Sequence, residues 1–185
     1  MTKKKVNNAS YQSTILIGAS KWKQTMWFIS SILFFANPLQ PFSFVKVILL
    51  RLFGATIGKG VFIKPSVNIK YPWKLQIGSH VWIGENVWID NLSLIKIEDN
   101  VCLSQGVLLL TGSHDHTKTT FDFISNDIVL QEGVWIGANA VVAGGVTCKS
   151  HSILGINSVA ESDLEAYVIY KGNPAIPVLT RIISD

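Results

Sequence analysis

The sequence predicts an all-β solenoid: a parallel β-helix of about five coils, with a short helical segment before it and an extension after it. Three observations carry this. From Ile57 every sixth residue is apolar: Ile57, Ile63, Ile69, then after two added residues Ile77, Ile83, Ile89, and after two more Ile97, Leu103, Leu109. Past an interruption the same spacing runs through Leu130, Ile136, Val142, Cys148, Leu154 and Ala160. Four places after most starts stands a small or β-branched residue, from Val61, Val67 and Val81 to Ser152 and Ser158. One place after it Gly58, Gly78, Gly84, Gly137 and Gly155 recur. A strict period of six is neither the 3.6 of a helix nor the simple alternation of a strand. Short strands with β-branched residues suit a pleated surface, and a glycine at fixed phase permits the dihedrals of a tight corner. Three hexads per set make three strands and three corners per coil. Such coils bury their inner faces only by stacking, and at about 4.8 Å per coil the prism stands roughly 24 Å tall.

Residues 1–54 precede the repeat. Lys3, Lys4 and Lys5 form a basic tip that reads as a solvated tail. The polar residues after it do not make the apolar core of a signal peptide, so a cytoplasmic protein is expected. The stretch 26–36, MWFISSILFFA, is too short to cross a bilayer and ends in Asn37-Pro38. A second apolar stretch, 42–53, carries Lys46 and Arg51 and stops at Gly54. Two short helices covering one end of the prism are expected. Trp22, Lys23 and Trp27 also suit peripheral docking on the inner membrane surface. The β-helix domain is expected over 55–165, with a loop inserted at 115–127, and the extension over 166–185.

Hydrophobic residues make up 48% of the chain and charged ones 15%, with a mean hydropathy of +0.34. That balance suggests a core continued across subunit interfaces, or contact with a membrane. The net charge is +4, and no basic stripe is interleaved with aromatics, so nucleic acid is not an expected partner. Cys102 and Cys148 lie inside the repeat and read as reduced packing residues.

The repeat breaks at LLLTGSHDHTK, where two of the four histidines stand. His114 ends the hexad that begins at Leu109 and so sits at a corner. Residues 115–127 are polar and hold no hexad, which reads as a loop thrown out of the coil, where solenoids commonly build their binding surfaces. An imidazole with an unperturbed pKa near 6.5 suits a general base at neutral pH. On the residues alone, two histidines decorating a solvated loop is the simpler reading. His80 and His151 stand alone at other corners and read as structural.

The hexads IGKGVF, IGSHVW, IGENVW, IGANAV and LGINSV resemble those of the left-handed parallel β-helix acyltransferases, a resemblance that covers about residues 50–178. RLFGATIGKGVFIKPSVNIKYPWKLQIG, TGSHDHT and YKGNPA are similar to the colanic-acid-type polysaccharide O-acetyltransferases. The resemblance implies the left hand, acetyl-CoA as acetyl donor, no metal, and a homotrimer with the site in the cleft between subunits. The acceptor it implies is a sugar hydroxyl in exopolysaccharide, capsule or lipopolysaccharide biosynthesis. By the same match His114 is the general base. His116 competes for that role or orients a substrate, and Asp115 or another carboxylate holds the imidazole tautomer. Asp90 and Asn91 either hydrogen-bond the sugar or form a plain turn. Trp135 either lines the acceptor and thioester end or sits against a neighbouring subunit. Gly144-Gly145 offers main-chain N–H groups for the oxyanion. The pantetheine arm would follow Ala138, Gly155 and Ile156. This chain has Ala160-Glu161-Ser162-Asp163 and Ile176-Pro177-Val178 where relatives carry basic residues, which leaves Lys171 and Arg181 for the anionic end of the donor. An amine or antibiotic acceptor is possible within the same class. Other classes are a zinc enzyme like the β-helical carbonic anhydrases, using His114, His116 and His80, and a non-catalytic scaffold.

Overall fold

All fifteen hexad starts point into the core, none more than 9% exposed. The computed structural model describes residues 4–11 and 15–184; Lys3 of the basic tip lies outside them. Three parallel sheets form the sides of a prism. The first face is built from Thr56–Ile57, Leu75–Ile77, Ile95–Ile97, Ile128–Leu130 and Thr147–Cys148. The second holds Phe62–Ile63, Trp82–Ile83, Cys102–Leu103, Trp135–Ile136, Ile153–Leu154 and Val168–Lys171. The third holds Asn68–Ile69, Trp88–Asp90, Leu108–Leu110, Val141–Ala143 and Val159–Ala160. The register repeats coil by coil, with Ile57 beside Ile77 and Ile63 beside Ile83. The added residues Leu75, Ile95 and Ile128 are buried and give the first face a second inward side chain per strand.

Five coils are complete, and a sixth is begun. The chain does not leave the prism at 165. Leu164 bridges Cys148, and Val168–Lys171 continues the second face beside Ile153–Leu154. Ile176–Thr180 then closes that face as an antiparallel edge strand. The expected extension is therefore partly a coil, because Leu164 and Tyr170 still offer buried side chains to the core.

The glycines one place after each start do not supply the corner dihedrals, contrary to expectation. The positive φ lies two residues further on, at His80, Asn86, Asn100, Asn139, His151 and Asn157, and at Gly60, Gly106 and Gly133. That left-handed residue turns its N–H back toward the preceding coil, as in His80 to Lys59, Asn100 to Ser79 and His151 to Glu132. Asn and His tolerate this region better than most residues. The glycine is needed for closeness instead: a Cβ on Gly58 would lie 2.5 Å from the Gly78 carbonyl carbon, and one on Gly84 2.8 Å from the Gln105 nitrogen. His80 and His151 are corner residues, the latter stacked on Tyr167 with ring centroids 4.8 Å apart.

Successive residues of a strand face opposite neighbours: the Phe62 and Lys64 N–H groups donate forward to Val81 and Ile83, whereas the Ile63 N–H points away from the second coil and donates to Ser43 Oγ at 2.8 Å. The first-coil carbonyls that face away from the second coil are thus left without strand donors. Helices α1 (Lys21–Phe34) and α2 (Ser43–Leu52) cover them. Arg51 donates to the Ile57 and Gly58 carbonyls on the first face, at 2.9 and 2.8 Å. Lys46 donates to Lys64 on the second, at 2.7 Å, and the Trp27 indole donates to Ile69 on the third, at 3.0 Å. Trp27 also packs edge-on against Phe35 and Phe53. Cys148 is buried, which pushes its thiol up to about 12 and keeps it protonated.

Burial lowers the Lys46 ammonium to about 8. The unfolded chain, with a Lys46 pKa near 10.4, therefore binds a proton between about pH 8 and 10.4 that the folded chain does not. Where the unfolded state binds more protons, stability rises with pH, here by up to about 1.4 kcal/mol per pH unit. Relative to Lys46→Met, the wild type should gain stability as pH rises through that window. Urea unfolding of both proteins at the two ends of the window checks the slope.

Candidate active site

The chain leaves the third coil at Thr111, but residues 111–127 are more ordered than a plain loop. Gly112–His114 pairs antiparallel with Phe123–Ser125, with Ser113 opposite Ile124. The base of this hairpin is tied to the prism. Thr111, 1% exposed, donates its hydroxyl to the Asp90 carbonyl at 2.8 Å. The Asn126 N–H donates back to Thr111 at 3.1 Å, Ser93 bonds Ser125 at 2.7 Å, and the Leu94 N–H donates to the Asp127 carboxylate at 2.9 Å.

His114 ends the first hairpin strand and is half-buried. Its ring stacks on Phe121, centroids 4.4 Å apart and planes within 5°, and meets the edge of Phe123 at 5.8 Å. His114 Nδ1 lies 2.9 Å from the Phe121 carbonyl oxygen. A carbonyl only accepts, so Nδ1 carries the proton and donates it, leaving the Nε2 lone pair free. Phe121 presents both its ring and its carbonyl from a left-handed conformation, φ 51°. The sequence reading missed Phe121. It also missed Tyr11, whose ring lies 5.8 Å from that of His114. Asn7 holds this N-terminal segment across the hairpin tip, its N–H donating to Thr119 at 2.8 Å. No spacing rule joins residues that far apart in the chain.

The other candidates divide. The role of holding the tautomer, considered for Asp115, falls to a main-chain carbonyl. Asp115 turns away to accept the Thr117 hydroxyl and N–H, at 2.6 and 3.0 Å, and those hydrogen bonds hold its carboxyl below the usual range. His116 is exposed on the tip and makes no hydrogen bond among the described residues. Asn91 is fully buried; its side chain accepts from the Tyr71 N–H at 2.9 Å and donates to Tyr71 and Lys74 carbonyls. It holds a corner and has no group left for a sugar. Asp90 is buried beside Lys70, 2.8 Å away.

Gly144 stacks under Thr111 at the His114 corner, so close that a Cβ there would lie 2.5 Å from the Thr111 oxygen. Ala138, Gly155, Ile156 and Lys171 share the corner between the second and third faces. A Cβ on Gly155 would lie 2.9 Å from Lys171 Cγ, Ala138 accepts from the Asn157 N–H at 2.9 Å, and Ile156 is exposed. Arg181 stands apart, at the corner between the first and second faces. Its guanidinium donates to the Gly133 and His151 carbonyls at 2.8 and 3.1 Å and straps the C-terminal strand to the prism. Trp135 points out of the second face, its indole donating to Ser104 Oγ at 2.9 Å. His114 and His80 lie at different corners, and among the described residues no three His, Cys, Asp or Glu side chains converge. Between the hairpin and the N-terminal segment is a recess of about 240 Å³, lined by residues that include Lys74, Leu92, Ser93, Phe123 and Ser125.

The tautomer is directly measurable. In a long-range ¹⁵N–¹H correlation spectrum of the neutral ring, His114 should show a pyrrole-type Nδ1 and a pyridine-type Nε2. The reverse pattern would remove the geometric basis for Nε2 as a proton acceptor.

No family model matches the chain. Among curated proteins, it is 38% identical over 168 residues to the Escherichia coli K12 protein assigned as the colanic acid biosynthesis acetyltransferase WcaF, covering 91% of this chain and 92% of that one. It is 29% identical over 129 residues to the galactoside O-acetyltransferase of the same organism, covering 68% and 64%. Among solved structures, the hexapeptide-repeat acetyltransferase of Vibrio cholerae complexed with acetyl coenzyme A superposes with a TM-score of 0.79 at 23% identity, covering 90% and 92%. A galactoside acetyltransferase in complex with coenzyme A gives a TM-score of 0.74 at 24% identity, covering 86% and 80%. The solenoid is the left-handed β-helix of these neighbours. With over a third of its residues identical to the E. coli protein across nine tenths of both chains, this chain belongs to the hexapeptide-repeat acetyltransferases.

Proposed function

We propose that the chain transfers the acetyl group of acetyl-CoA to a sugar hydroxyl, with His114 as general base. The observation that carries this is the Nδ1–H bond to Phe121, which makes Nε2 the acceptor nitrogen of the neutral ring in a member of an acetyltransferase family. Nε2 takes the proton of the acceptor hydroxyl as its oxygen bonds to the thioester carbonyl carbon. The imidazolium that forms is steadied by the Phe121 carbonyl, since the Nδ1–H bond strengthens with the charge. When the carbon–sulfur bond breaks, Nε2–H returns the proton to the sulfur, so an ester and a free thiol leave and the ring is restored. An N–H at the Gly144 corner is the candidate donor to the oxyanion. The donor substrate fits the corner of Ala138, Gly155 and Ile156, where main chain lies open beside a single cation, Lys171. The recess beside Phe123, with two serines and Lys74, suits a polyhydroxylated acceptor of the kind built into surface polysaccharides.

The donor corner and His114 sit at opposite edges of the third face. A homotrimer would set one protomer's donor corner against its neighbour's His114, and the exposed apolar side chains of Phe62, Trp82, Trp88 and Trp135 support such contacts.

Free-thiol release from acetyl-CoA, measured with a panel of glycans and nucleotide sugars, should be acceptor-dependent and should fall by about 10² or more in His114→Ala. An unchanged rate in that variant would make the hairpin histidine a bystander. Light scattering should give a mass about three times the 20.4 kDa of the chain; a stable monomer would break the link between the two corners.

A further inference from the structure

Residues 1–84 contain 11 of the 16 Lys and Arg residues and not one of the 12 Asp and Glu residues. Coils stack in chain order, so this becomes a separation along the prism axis. The helical cap, the first coil and the first half of the second carry no acidic group. Lys21, Lys59 and Lys64 are exposed there and form no ion pair among the described residues.

The same end is apolar. In α1 the residues Trp22, Met26, Ile29 and Leu33 recur at spacings of four, three and four, one face of a helix, and all are exposed. In α2 Phe44, Ile48 and Leu52 do the same. The opposite faces hold Trp27, Lys46 and Leu50, buried on the first coil. Each helix thus has two apolar sides, and only one is used by the fold. No helix among the described residues is long and apolar enough to cross a membrane. Short helices with outward aromatic and aliphatic residues and nearby lysines lie in the headgroup region of a bilayer.

We propose that the helical cap docks the protein on an anionic lipid bilayer, with the prism axis pointing away from it. Charge decides the occupant. A second copy seated on the cap would set two acid-free basic surfaces face to face, whereas an anionic leaflet complements them. His114 closes the third coil, two coil steps or roughly 10 Å beyond the first. On the reading of His114 as base, this sets the catalytic hairpin at the height of a glycan carried on the bilayer surface. The docking itself does not depend on that reading.

The test is flotation of the full chain with phosphatidylcholine vesicles, with and without phosphatidylglycerol. The wild type should float only with phosphatidylglycerol present. The double variant Phe44→Asp/Ile48→Asp should bind about tenfold or more weaker. Lys21→Glu/Lys59→Glu should lose roughly fivefold per charge at low salt, with the difference shrinking at high salt. Should the aspartate variant not fold, the lysine variants, at exposed positions, carry the test. Failure of the wild type to bind anionic vesicles, or equal binding by folded variants, overturns the proposal. So does a drop in mass of the aspartate variant by light scattering, which would mean that another copy covers the cap. Binding is read without acetyl transfer, so either proposal can fail alone.

Discussion

The backbone groups that face the open end of the first coil set the constraint on which this structure depends. Along each strand successive residues turn their N–H and C=O groups to opposite neighbours, so an inner coil is paired on both sides and the first coil on one. A stack of identical coils therefore cannot end on itself, because its first turn would bury carbonyls without donors, at a cost of about 1–3 kcal/mol each. Arg51, Lys46 and Trp27 meet that need, one for each face. This explains an otherwise unfavourable choice, a fully buried lysine with no carboxylate partner among the described residues. At the other end a partial sixth turn and an antiparallel strand continue the pairing, and Arg181 fastens the strand across two coils.

Ladder register explains how the prism tolerates a break. Leu108–Leu110 stays in register with Trp88–Asp90 on one side and Val141–Ala143 on the other. Ile128–Leu130 resumes beside Ile95–Ile97. The intervening residues leave at one corner and return at it without disturbing a ladder bond. Freed from the core, they form a structure of their own, in which Phe121 supplies a stacking plane and a carbonyl to one imidazole. The hairpin sets the aim of His114, and the prism sets only the position of the hairpin's base.

The period of six, the coil count to within a partial turn, and the break at His114 were all legible, because a core repeat is a local pattern written once per strand. The glycines were legible as a phase but misread as to cause. Their contacts lie about twenty residues away in the next coil, and the residue with positive φ is more often an Asn or His than a glycine. For the same reason the sequence left both readings of Asn91 open and offered Arg181 as a free cation. An amide at a corner and an arginine near the end look available until their carbonyl partners on other coils are known.

The sequence by itself determined the fold class and the place where the chain leaves it. It also determined the charge imbalance between the two parts of the chain, since periodicity and composition need no partner to be read. Tertiary structure alone decided which nitrogen of His114 is free, which polar residues are spent on the fold, and that a charge imbalance along the chain becomes a basic, apolar end on the prism. Those outcomes depend on contacts between residues far apart in the chain, which meet only when the coils stack.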